Sequence, residues 1–185
     1  MSYLFSVILG MVFWTFMEYM LHRFLGHEWL WRNKFRKEHQ KHHHLKDYFT
    51  SNFDKVLTSV VFGSLTFGLA HFIVGFKLSC IFTTSFICMY LIYEFLHRSC
   101  HINAPKNDYE AFIRRHHFYH HFENEMVNHG VTSPIWDILF GTYEKATLVS
   151  VNKRFVMRWL CEEGTSRVKQ AFENQYRIVE STKYT

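Results

Sequence analysis

Residues 2–21 read SYLFSVILGMVFWTFMEYML, with Glu18 as their only charge, and run directly into the polar, histidine-bearing HRFLGH. About 20 residues rising about 1.5 Å each match the roughly 30 Å of a bilayer's hydrocarbon. The pattern predicts a membrane span. Residues 56–96 are apolar again, broken only by Lys77 and Glu94. As one helix they would be about twice too long for a bilayer. They therefore predict two spans, 56–75 and 78–96, folded back around Gly75, Phe76 and Lys77. The intervening and following stretches, 22–55 and 97–185, are polar. The expected fold is an all-α integral membrane protein in a single domain over 1–185: one span plus a helical hairpin, with a helical cap built from 22–55 and 97–185. Within the last part, Val168, Phe172, Tyr176 and Val179 recur at helical spacing, which predicts an amphipathic helix over 150–181.

Charge then orients the spans. Of the 21 Lys and Arg, eight fall in 22–55, twelve in 97–185, one at the hairpin tip and none before the first span. Basic segments stay on the cytoplasmic side, so both polar stretches are expected there, with the N-terminus and the tip opposite. A first span with no preceding positive charge is not built like a cleavable signal peptide. The 20 Phe suit lipid contact, and the segregated charge favours a membrane protein over a nucleic-acid binder. A soluble protein with very apolar core helices is the competing reading. The four cysteines, at 80, 88, 100 and 161, have no paired spacing. Cys80, Cys88 and Cys100 are expected to pack as small hydrophobes and Cys161 to be a free thiol.

The chemistry is carried by histidine. Of 14, ten fall in four clusters beside the span ends: His22 and His27; His39, His42 and His43; His97 and His101; His117, His120 and His121. The triplets repeat i, i+3, i+4 spacing, which gathers side chains on one helical face. Buried imidazoles without partners are costly, and ten protonated ones would repel. A metal removes both penalties by taking the neutral lone pair. Ten donors exceed one ion's needs, so two ions are expected. Imidazole without accompanying thiolates or carboxylate clusters suits iron, zinc, copper or nickel. His44 and His116 point about 100° away from their neighbours and are expected beside the site rather than in it. His71 is expected to hydrogen-bond to a neighbouring helix. His129 could approach the cluster, and Glu18 and Glu94 are candidates for orienting ligand rings through a second ring N–H.

The ordered segments EYMLHRFLGH, EHQKHHH, YEFLHRSCH, RRHHFYHHF and NHGVTSPIWDILFGTY resemble the membrane fatty acid hydroxylase and sterol desaturase superfamily of non-haem di-iron enzymes over about residues 15–143. Within it, LHRFLGH and GVTSPIWDILFGT look most like fatty-acid 2-hydroxylases. HHHLKDYFTSNFDKV has some of the character of the carotenoid hydroxylases, and His129 stands where an aromatic is usual. The resemblance implies that the ten clustered histidines hold two iron ions and act catalytically through them, with O2 as co-substrate. Zinc can replace iron in purified protein of this kind.

The implied activity is O2-dependent monooxygenation of an acyl chain, as 2-hydroxylation of a fatty acid or sphingolipid-type lipid. The alternative within the superfamily is hydroxylation or desaturation of a carotenoid or sterol-like ring; outside it, a non-enzymatic membrane metal-binding protein. No Gly-rich dinucleotide fingerprint occurs, so electrons are expected from an external donor, a ferredoxin or cytochrome b5-like protein plus reductase, meeting the basic face. The expected location is the bacterial inner membrane or the endoplasmic reticulum. A mostly apolar lipid pocket with Phe and Trp in its wall is expected, while Asn128, Gly130, Trp136 and Asp137 are expected to close the cap structurally.

Overall fold

A computed structural model describes residues 2–28, 33–45 and 48–180. The protein is mostly helical. Three of its helical stretches are long and apolar enough to cross a membrane: Tyr3–Glu28, Asn52–Val74 and Phe76–Ile102. In chain order the elements are α1 (Tyr3–Met20), which continues as a π-helical turn (Leu21–Glu28), α2 (Lys34–His44), α3 (Asn52–Val74), α4 (Phe76–Ile102), α5 (Asp108–Phe122), α6 (Ile135–Leu139), β1 (Val149–Asn152) and β2 (Tyr176–Val179). The hairpin break falls where the sequence places it. Gly75 alone separates α3 from α4, at φ 77°, with its N–H donating to the His71 carbonyl at 3.1 Å. That left-handed conformation is cheap only for glycine.

The chain forms two compact units, residues 2–18 with 50–95 and residues 19–49 with 96–180. In the first, Trp14 of α1 packs edge-on against Phe86 and Tyr90 of α4, with ring centroids 5.2 and 4.9 Å apart. Gly10 permits this approach: a Cβ there would lie 2.4 Å from the Phe82 carbonyl and 2.5 Å from the Ser85 hydroxyl. Small residues let helix backbones close on each other where lipid supplies no hydrophobic drive. The Ser79 and Ser85 hydroxyls donate back to the carbonyls of Gly75 and Ile81, so neither asks for an outside partner. Leu4, Phe5, Ile8, Val60, Leu65, Leu69 and Phe72 stay exposed, as side chains facing lipid do.

Three small expectations fail in this unit. Cys88 is exposed and Cys80 only partly covered, because both lie on faces of α4 turned away from α1. His71 is exposed, and its ring lies on aromatic faces, 5.8 Å from Phe67 and 6.3 Å from Phe76, in place of a hydrogen bond. Glu94 pairs with Lys55 at 2.5 Å. Near a membrane interface that pairing neutralises both charges and occupies the Glu94 carboxylate with Lys55.

The second unit is built around α5. Ile113, Phe118 and Phe122 are buried against Val149, Val151, Trp159, Leu160 and Tyr176. Among the described residues the expected C-terminal helix is absent. β1 and β2 form a parallel pair with Val149 opposite Tyr176 and Asn152 opposite Val179. The helical spacing of Val168, Phe172, Tyr176 and Val179 is a coincidence of position. Gly164 (φ 71°) turns the chain back, Val168 bridges to Cys161, and the β-branched VSVN and RIV runs pair as strands. Cys100 is buried as expected, and its carbonyl accepts the Trp159 indole N–H at 3.1 Å.

Candidate metal centre

The first pair of histidines depends on an unusual helix. Five positions apart, His22 and His27 would lie about 140° apart on an α-helix of 3.6 residues per turn. The wider π-helical winding of Leu21–Glu28 brings them to the same side, ring centroids 5.4 Å apart. Gly26 leaves room for the ring of His39, since a Cβ there would stand 3.1 Å from its Cδ2. Asn33 starts α2 by accepting the Arg36 N–H at 2.7 Å, and Asn107 starts α5 by accepting that of Glu110 at 2.9 Å. Both are ordinary N-caps. They fix the two helices that carry the triplets.

All ten clustered histidines gather into two groups of five. The first is His22, His27, His39, His43 and His120; the second is His42, His97, His101, His117 and His121. Within each group the ring nitrogens lie within 4.8 Å of one another. The triplets do not act as blocks. His39 and His43 enter the first group and His42 the second, whereas His117 and His121 enter the second and His120 the first. Positions i+3 and i+4 of a helix diverge by about 100°, so each triplet fans across two neighbouring sites. His43 and His121 stack between the groups with centroids 4.0 Å apart.

Hydrogen bonding fixes which nitrogen faces inward. His22, His42 and His120 direct Nδ1 at the backbone carbonyls of His129, Tyr48 and Val127, the last two at 2.9 and 2.8 Å. A carbonyl only accepts, so each Nδ1 carries the proton and a neutral ring presents a bare lone pair at Nε2. Yet His22 Nε2 sits 3.0 Å from His120 Nε2 and 3.0 Å from His39 Nε2, while His27 and His39 close to 2.7 Å. Lone pair facing lone pair is repulsive unless a cation lies between them. In the second group His101 and His117 meet Nε2 to Nε2 at 3.0 Å, and the buried Nε2 of His121 has no hydrogen-bond partner among the described residues. Separations near 3 Å are those of adjacent donors on an ion with bonds of about 2.1 Å. Both groups fit a metal on these grounds.

Burial, followed by neighbouring histidines, holds the imidazoles of His39, His43, His117, His120 and His121 well below the usual histidine range. They stay neutral and able to donate to a metal. In metal-free protein these rings are neutral in both folded and unfolded chains above about pH 6.5. Below it the unfolded chain takes up protons that the folded one refuses. Stability is then lost as pH falls, by up to about 1.4 kcal/mol per pH unit for each ring. The thermal unfolding midpoint of chelator-stripped protein should drop steeply from pH 7 to 5; a flat profile would contradict the neutral, buried assignment.

Around the groups stand residues that the sequence pattern does not single out. Arg114 is 2% exposed. It donates to the Asn103 carbonyl at 3.0 Å, to the Glu110 carbonyl and carboxylate at 3.1 Å each, and to the Ser99 carbonyl and hydroxyl at 3.3 and 3.1 Å. It thereby ties the His97/His101 end of α4 to the His117 face of α5. Glu125 lies 3.6 Å from Nδ1 of His27. With the carbonyls, it stands where an acceptor can orient a ligand ring. No local motif marks these carbonyl acceptors or Arg114, whose partners come from folding.

The expected closing residues are structural, centred on Asp137. Its carboxylate accepts the N–H groups of His129 and Gly130 and the Thr142 hydroxyl, each at 2.8 Å, and meets Nε2 of His116 at 3.2 Å. Burial opposes its ionisation, but these bonds, led by His116, hold the carboxyl below its ordinary range. Asn128, at φ 57°, exchanges two hydrogen bonds with the backbone of Glu144 at 2.9 and 2.8 Å. The loop so anchored aims the His129 carbonyl at His22. The His129 ring lies 5.3 Å from that of His120, and burial lowers its pKa to about 4. His44 is exposed, outside both groups.

The fatty acid hydroxylase family model matches residues 7–142, a stretch that contains all ten histidines. The chain belongs to the fatty acid hydroxylase family. It is 32% identical to mouse fatty acid 2-hydroxylase over 149 residues, covering 73% of this chain and 38% of that protein. It is 30% identical to Arabidopsis dihydroceramide fatty acyl 2-hydroxylase FAH2 over 141 residues, covering 74% of this chain and 59% of that one. Among solved structures, the visible hydroxylase domain of full-length Scs7p superimposes with a TM-score of 0.64 at 28% identity, over 78% of this chain and 58% of that chain. The chain thus spans well under two thirds of these relatives. Within the family it is an integral membrane protein.

Proposed function

We propose that the protein is an O2-dependent acyl-chain hydroxylase acting at C2 of a fatty acid or sphingolipid-type lipid, in one multi-pass membrane domain over residues 1–185. The observation that carries this reading is the pair of five-imidazole groups with lone pairs converging on two points, in a chain of a family whose named members hydroxylate acyl chains at C2. His22, His27, His39, His43 and His120 hold one iron ion; His42, His97, His101, His117 and His121 hold the other. Bound iron supplies O2 activation and oxidation of an unactivated C–H bond.

The chain's own residues do the remaining work. The carbonyls of His129, Tyr48 and Val127 keep Nδ1 protonated on His22, His42 and His120, so that Nε2 is always the donor. Arg114 holds α4 and α5 in register. The packed Phe118, Tyr19 and His129 walls exclude water. Two electrons and two protons per turnover come from an external ferredoxin or cytochrome b5-like donor with its reductase, drawn to a basic cytoplasmic face.

Expression with excess iron and a generic reductase, followed by untargeted lipid mass spectrometry, tests the assignment. A gain of one oxygen at C2 of fatty acids or amide-linked acyl chains is expected. A change confined to sterols or pigments would overturn it.

A further inference from the structure

One cavity touches a histidine group and carries charge that no described residue pairs. It measures about 520 Å³ and is lined by Phe49, Arg98, His101, Ile102, Phe155, Met157 and Arg158. That volume is typical of small-ligand sites. The apolar pocket expected from sequence is half present, with two phenylalanines but two arginines in place of tryptophan. Four other arginines find acceptors within the chain, Arg23 at Glu28, Arg114 as described, Arg115 at Gln175 and Arg177 at Ser150, whereas Arg154 lies over the Phe155 ring. Arg98 lies over the Phe49 ring at 4.7 Å. Among the described residues neither cavity guanidinium reaches a hydrogen-bond acceptor, and no carboxylate lines the wall. Two exposed guanidinium forks lining one space make it positively charged, and their planar geometry matches a carboxylate.

We propose that this cavity receives the acyl substrate by its ionised carboxylate, so that the form hydroxylated is a free long-chain fatty acid, with Arg98 and Arg158 as its two partners. This rests on the acyl 2-hydroxylase reading above. C2 is the carbon bonded to the carboxylate carbon. Anchoring the carboxylate in a cavity whose wall includes His101 therefore keeps C2, and not a distant methylene, beside the second histidine group. Phe49, Ile102, Phe155 and Met157 offer the first methylenes an apolar wall. A neutral ceramide has no charge for these arginines. A phosphate-bearing lipid has one, but several bonds away from C2.

The test is direct binding of radiolabelled palmitate to the purified, metal-loaded full chain in neutral-lipid nanodiscs, for the parent, Arg158→Gln and the double variant Arg98→Gln/Arg158→Gln. Both side chains are exposed and take no acceptor among the described residues, so their removal strands no buried group. Expected results are about tenfold weaker palmitate binding in the double variant, an intermediate loss in Arg158→Gln, unchanged metal content, and weak, variant-insensitive binding of methyl palmitate. Equal parent affinity for palmitate and methyl palmitate, or palmitate binding indifferent to both substitutions, overturns the proposal. So does stronger competition by lysophosphatidate or inorganic phosphate than by unlabelled palmitate. Should the double variant fail to fold, the single variant decides by the same criteria. Arginine-dependent palmitate binding without 2-hydroxylated product under any donor would sink the hydroxylase reading alone. Product formation with arginine-independent binding would sink this inference alone.

Discussion

Substitution of His120 by alanine is expected to abolish 2-hydroxylated product and to lower bound metal from two ions per chain to one. His120 Nε2 lies 3.0 Å from that of His22 and 3.2 Å from that of His43, so its loss takes one of five donors from the middle of the first group. The vacated space lies among buried side chains. The effect on activity should exceed the roughly 10–100-fold that follows loss of a mere outer hydrogen-bond partner of a ligand. The second group keeps all five donors, because His117 and His121 on the same helix serve it. Metal analysis alongside lipid mass spectrometry, on membrane-extracted protein of parent-like yield, checks both halves. The complementary His117→Ala should empty the second group and spare the first. Wild-type product together with two ions in His120→Ala would refute the ligand assignment.

The second large effect belongs to Asp137. Alanine at this position strips acceptors from the His129 and Gly130 N–H groups, the Thr142 hydroxyl and His116, all in a fully buried setting. Each stranded donor costs about 1–3 kcal/mol. Asp137→Ala should therefore lose about 4 kcal/mol or more and yield little folded protein. Asp137→Asn keeps the size but turns an amide NH2 toward donors, and should fold with a lowered unfolding midpoint. Its surviving fraction should bind the first ion more weakly than the second, because the loop carrying the His129 carbonyl to His22 is loosened. Equal weakening of both sites would leave Asp137 a general stabiliser and not a positioning residue for His22.

Much of this was legible in the sequence, for identifiable reasons. Span lengths follow from bilayer thickness, so the three apolar helices were readable, and Gly75 marked the hairpin break. α4 nonetheless continues past residue 96 to Ile102, since its final turns exchange lipid for contacts of their own rather than stopping. The ten histidines were readable because turn-spaced imidazole has few other uses. Their division was not: i+3 and i+4 are one face or two depending on what packs opposite. The tertiary partners, Arg114 among them, leave no periodic trace, and the parallel strand pair joins segments more than 20 residues apart in sequence. Helical spacing at four positions misled over 150–181 because strand pairing, which spacing does not report, decided the outcome.

The π-helical turn at Leu21–Glu28 makes the first histidine pair tolerant of its own spacing. A chain with one residue fewer between His22 and His27 could juxtapose the same two rings on an ordinary α-turn. Widened turns of this sort are how a helix accommodates a single extra residue without shifting the register beyond it. The fifth residue of spacing is thus absorbed within the turn, and neither ring has to leave the side it shares with the other.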